Sequence, residues 1–144
     1  MKNLFYFSVC LLVIACKSEI QNNELVEEKA KYDIYVPSEM SNLMNRMYAI
    51  NLEVKEAILN GESPNEFPKE FLQIHTAELS DFKSRNETFE SFSHLFLEKE
   101  KAIFDQNAKG DLKQRYNSAI GLCISCHQTE CTGPIPKIKK LLIK

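Results

Sequence analysis

The chain alternates polar and apolar positions with a helical rather than a strand period. After Pro37, the positions Met40, Met44, Met47, Asn51, Val54 and Ile58 fall on one stripe, flanked by Leu43, Ile50 and Ala57. Ser38 can cap the start, because its hydroxyl oxygen accepts from a backbone N–H that has no partner within the helix. Gly61 can close the end in the left-handed conformation. The pattern predicts a helix over roughly 38–60. A second helix is expected after the SPNEFP loop, where Pro68 suits the first turn and Phe71, Ile74, His75, Leu79 and Phe82 form the apolar face. A third, over about 87–107, presents Phe89, Phe92, Phe96, Ile103 and Phe104. AKGD at 108–111 reads as a short hinge, and Asp111 can cap a fourth helix carrying Leu112, Tyr116, Ala119 and Ile120. No run sustains strand alternation. Four helical segments on short loops predict an all-α fold, an antiparallel four-helix bundle.

The N-terminus has a different composition. MKNLFYFSVCLLVIAC places one lysine before an apolar run over 4–15 that is short for a permanent membrane span. This reads as an export signal. Val13, Ile14 and Ala15 before Cys16 resemble the lipobox of bacterial lipoproteins. That resemblance implies a signal peptide over 1–15, cleavage before Cys16 and lipidation of Cys16. Residues 16–36 are polar and acidic and are read as a tether; the domain is expected over 37–144. The implied location is outside the cytoplasm, lipid-anchored to a bacterial membrane, the outer membrane foremost, with the domain in the periplasm or at the cell surface. The formal net charge of −2 excludes an electrostatic case for nucleic acid.

Most of the chemistry lies in GLCISCHQTEC at 121–131. A thioredoxin-like dithiol would need a strand before Cys123, where the pattern is helical. A zinc site from Cys123, Cys126, His127 and Cys131 has suitable donors, but Cys126 and His127 are adjacent, which makes ligation by both awkward. Cys-X-X-Cys-His is the attachment signature of c-type haem. On a helix, positions 123, 126 and 127 share a face. Two thiols can then form thioethers with one porphyrin while the histidine reaches the iron, and this attachment belongs outside the bacterial cytoplasm. One covalent haem c is therefore expected on Cys123 and Cys126 with His127 on the iron. The nine Phe and five Tyr suit a core shaped round a wide flat group as well as an ordinary aromatic core.

No methionine follows Met47. A methionine-bearing first helix, a bundle and a late CXXCH on the last helix resemble the cytochrome c-prime and c556 family of class II c-type cytochromes, over roughly 38–130. The NGE segment at 60–62 is similar to that family's first loop. The resemblance implies a haem near the C-terminal end of the fourth helix, His127 as proximal ligand and a distal face lined by the first helix around Met44 and Asn45. Six-coordinate members of the family use a methionine from this region, which points to Met44, with Met40 and Met47 as alternatives. Five-coordinate members leave the iron open to small gases.

The function this implies is membrane-tethered electron transfer to redox partner proteins, without enzymatic activity. The alternatives are a gas-binding haem protein, for example for nitric oxide, and a non-haem structural or metal-binding helical lipoprotein. His75 and His94 read as surface or core histidines rather than iron ligands. Cys131 is left over as a buried thiol or as a link between two copies in a homodimer. The tail after Pro134 and Pro136 can add one amphipathic turn through Ile138, Leu141 and Leu142. Mass spectrometry of the mature chain should find Cys16 at its N-terminus with acyl mass. Cys16→Ser should release a soluble form with an unchanged absorption spectrum; an unmodified terminus elsewhere would end the lipoprotein reading.

Overall fold

The computed structural model describes residues 36–64, 66–80 and 83–144; the expected signal segment, Cys16 and the tether up to residue 35 lie outside them. The described chain is all-helical. Helix α1 spans Glu39–Leu59, a 3₁₀ segment spans Lys69–His75, α2 spans Glu87–Phe104, α3 spans Leu112–Glu130, and a short α4, Ile135–Ile138, runs into a final 3₁₀ turn, Lys139–Leu141. Among the described residues no helix is long and apolar enough to cross a membrane.

Local chemistry sets the ends of the long helices. Ser38 accepts from Ser41 N at 3.2 Å, Asn86 from Phe89 N at 2.7 Å, and Asp111 from Gln114 N at 3.1 Å, so each helix has a side-chain cap at its start. Gly61, at φ +80°, turns the chain so that Glu62 N–H reaches the Ala57 carbonyl at 2.9 Å and closes α1. Arg115 of α3 donates to the carbonyls of Ala102 and Asp105, at 2.5 and 2.8 Å, satisfying acceptors that the last turn of α2 leaves open.

The second helix is where structure and sequence pattern part. Only seven residues coil, as 3₁₀, and Phe71 and Ile74 point inward at the spacing of three that this geometry favours. His75 is its last residue and half-buried; Leu79 lies beyond it, and Phe82 is outside the described residues. The physical reason lies in α1. Glu78 O accepts from Met40 N at 2.9 Å, and Glu39 Oε2 accepts from Glu78 N at 2.9 Å. The backbone of Glu78 thus serves the N-terminal Met40 amide and the Glu39 carboxylate of α1 instead of extending a helix of its own.

Two apolar clusters result. One joins the first half of α1 (Met40, Leu43, Met47), Phe71 and Ile74, and Phe89, Phe96 and Leu97 of α2. The other joins Val54, Ile103, Tyr116, Ala119 and Ile120 with Ile138, Leu141 and Ile143 of the tail. The tail is strapped down by Asn117, which exchanges hydrogen bonds with Ile143 at 2.8 and 2.9 Å. Between the clusters lies a buried polar node. Asn51 of α1 donates to Glu100 Oε1 of α2 at 3.1 Å, and Tyr116 of α3 donates to the Asn51 carbonyl at 2.9 Å.

Glu100 is fully buried, and burial pushes its carboxyl up from 4.5 to about 8, against a smaller lowering by the Asn51 hydrogen bond. Folding therefore favours the protonated form. That contribution is complete below the ordinary value of 4.5 and is lost as pH rises through about 8, by a few kcal/mol. Urea midpoints should fall across this window. Glu100→Gln, uncharged throughout, should flatten the profile; identical profiles for the two proteins would show that this carboxyl does not titrate there.

Candidate functional site

Cys123, Cys126 and His127 lie on α3, at i, i+3 and i+4, and all three line one cavity of about 170 Å³. Met44 and Met47 of α1 line the same cavity, as do Phe89, Phe92 and Phe96 of α2 and Ile138 and Leu141 of the tail. Residues separated by most of the chain thus meet in one apolar cleft. Met40 is not among the lining residues; it is packed in the first cluster with 7% exposure. Met47, 6% exposed, belongs to that cluster too, whereas Met44 is half-buried and only packs against it. Cys123 touches both clusters and so sits where they meet.

His127 is held by its own helix end. Its Nδ1 lies 2.8 Å from the carbonyl oxygen of Cys131, and Cys131 N–H returns a bond to the His127 carbonyl at 3.1 Å. A carbonyl can only accept, so Nδ1 carries a hydrogen, and in the neutral ring Nε2 is the nitrogen with the lone pair. This is the arrangement in which a ligating imidazole is fixed in tautomer and orientation by an outer acceptor. Cys131 itself is exposed, which corrects the expectation of a buried thiol. It is a free cysteine, and its backbone has the role that its side chain lacks.

The thiols are not poised as nucleophiles. Burial pushes Cys123 well above the ordinary thiol range, with the Glu100 carboxylate and Cys126 adding to the effect. Burial and Glu130 push Cys126 up to about 11. Among the described residues, the one group of three His, Cys, Asp or Glu ligand atoms lying within 4.8 Å of one another is His75, Glu90 and His94, not any set from the CXXCH segment. Two thiols on one helix face, a histidine whose Nδ1 is committed to a carbonyl, and the thioethers of Met44 and Met47 thus share one cleft, a donor set that a covalently held haem could use.

Lys137 and Asn51 also line the cleft. Among the described residues, Lys137 is the one lysine or arginine lining the cleft. It is exposed, its Nζ lies 4.3 Å from the Tyr48 ring centroid, and it donates to Asn45 Oδ1 at 3.2 Å. Asn51 lines the cleft as well, with its Oδ1 unpartnered. Its place on the α1 stripe signalled burial but not a link to Glu100 forty-nine positions on. His75 and His94 are not among the lining residues.

No protein-family model, curated protein or solved structure matches this chain. In a preparation without haem, iodoacetamide near neutral pH should label exposed Cys131 first, Cys126 more slowly and Cys123 last. Labelling of Cys126 should rise as pH approaches about 11. Equal rates at the three thiols would contradict the burial described here.

Proposed function

We propose that this protein is a c-type cytochrome carrying one covalent haem c and serving electron transfer from a lipid anchor. The observation that carries the reading is the shared cleft: Cys123, Cys126 and His127 on one wall, Met44 and Met47 on another. Cys123 and Cys126 would hold the haem through thioethers and His127 through Nε2, with Nδ1–H committed to the Cys131 carbonyl. When bound, haem supplies one-electron cycling between ferric and ferrous iron. The chain's own residues set the conditions. The phenyl rings of Phe89, Phe92 and Phe96 keep water away. Lys137 brings positive charge to the rim, suited to carboxylates at a porphyrin's edge.

Met44 is the proposed sixth ligand. Met47 is committed to core packing, while half-buried Met44 can turn without opening the core. A soft thioether favours ferrous iron and suits electron transfer. The resemblance to class II c-type cytochromes supports a four-helix arrangement, with the 3₁₀ segment, packed on α1 and α2, in place of the second helix. Export, lipidation at Cys16 and a protein redox partner belong to the same proposal.

Extraction and an optical spectrum test it. Haem should stay with the polypeptide in acid–acetone and be lost from the double variant Cys123→Ser, Cys126→Ser. His127→Ala should collapse the Soret band. Oxidised wild type should be six-coordinate and low-spin, with a weak long-wavelength methionine–iron band that Met44→Ala abolishes along with a drop in reduction potential. Freely extracted haem would sink the attachment. High-spin ferric iron with rapid carbon monoxide uptake after reduction would replace electron transfer by gas binding.

A further inference from the structure

Outside the cleft, the 3₁₀ segment and α2 bring together a second set of donors. Glu90 and His94 stand one turn apart on α2, and His75, closing the 3₁₀ segment, meets them. One ligand atom from each lies within 4.8 Å of the others. His75 Nδ1 is 3.7 Å from Glu90 Oε2. Two donors on one tetrahedral zinc-sized ion are roughly 3.4 Å apart, so this pair is already near ligating separation. The ring centroids of His75 and His94 lie 4.4 Å apart, with the planes tilted at 37°. His94 is exposed, so a side-chain rotation can bring its nitrogen the remaining distance, at most about 1.4 Å.

The surroundings orient these donors. Ser93 gives its hydroxyl hydrogen to the Glu90 carbonyl at 2.9 Å, and its oxygen accepts from His75 Nδ1–H at 3.3 Å in the metal-free chain; a metal at Nδ1 replaces that hydrogen, and the ring proton moves to Nε2. Arg85, donating to the carbonyls of Ile74 and Ala77, places Nε 3.9 Å from Glu90 Oε1. The guanidinium faces one carboxylate oxygen and leaves the other toward His75. It is also a positive charge beside the site, which moderates affinity for a cation. Two imidazoles and one carboxylate match the nitrogen and oxygen donors that borderline divalent ions take, with a position open to solvent on the His94 side.

We propose that His75, Glu90 and His94 form a binding site for a divalent transition-metal ion of the zinc class. The site is independent of what occupies the cleft. None of its three ligands lines that cavity, although Ser93 and Ile74 do.

The test is calorimetric titration of the chelator-treated full chain with Zn²⁺, and of the same chain with Co²⁺ by visible spectroscopy. One equivalent of Zn²⁺ should bind, and Co²⁺ should show nitrogen–oxygen ligation without thiolate charge-transfer bands. His94→Ala, at an exposed position, and Glu90→Gln should each weaken Zn²⁺ binding by more than about tenfold, since changes merely around a metal ligand already cost that much. Both variants leave the CXXCH segment intact, so their haem content reads separately from their zinc affinity. Absence of Zn²⁺ uptake by the wild type, uptake that neither substitution weakens, or uptake abolished by Cys131→Ser would each overturn the proposal.

Discussion

The arrangement of the long helices turns on one buried polar contact. Glu100 has no exposure to solvent, and among the described residues its carboxyl meets a single side-chain donor, Asn51 Nδ2. Tyr116, equally buried, closes the set by donating to the Asn51 carbonyl. A carboxyl in such a place costs several kcal/mol if ionised and far less if neutral and hydrogen-bonded. Any sliding of α1, α2 or α3 would break one of these bonds and leave a polar group stranded. Apolar packing tolerates small shifts; this node does not. It therefore fixes the register in which Met44 and Met47 face the CXXCH segment.

The same node lies at the inner edge of the cleft. Asn51 lines the cavity, and among the described residues neither its Oδ1 nor Glu100 Oε2 has a hydrogen-bond partner. The two apolar clusters lie to either side, and Cys123 touches both. The cleft is the seam between two separately packed halves, held at a set spacing by polar bonds. A seam of this kind can keep room for a flat group without weakening either half, because each cluster buries its side chains against its own neighbours. Each such fully buried apolar side chain contributes roughly 1.5–3 kcal/mol, wherever the seam runs.

Much of this was legible in the sequence, for identifiable reasons. Capping by Ser38 and Asp111, the left-handed turn at Gly61 and the apolar stripe of α1 are local properties, and local chemistry is what a sequence displays. The CXXCH spacing likewise reports one helix face directly. The 3₁₀ segment was not legible as such. Phe71, Ile74 and His75 have the spacing of either helix type, and the choice is made by Glu78, which bonds to Met40 and Glu39 across thirty-eight and thirty-nine positions. The acceptor for His127 was equally hidden. It is a main-chain carbonyl, and no residue type announces it. Cys131 drew notice as a spare thiol, while its carbonyl carries the contact.

The late position of the motif is workable because of what the short tail does. Pro134 and Pro136 cannot continue α3, so the chain turns back, and Ile138, Leu141 and Ile143 bury themselves in the second cluster. Lys55 and Lys113 of α1 and α3 donate to the carbonyls of Lys140 and Lys144, at 2.8 and 2.7 Å, so charged stems hold the strap from both sides. This return path brings Pro134, Lys137, Ile138 and Leu141 to the cavity. A straight continuation of α3 would carry the same residues away from it. Residues of α4 and the following 3₁₀ turn close a wall of the cleft, and Lys137 places a positive charge at its rim.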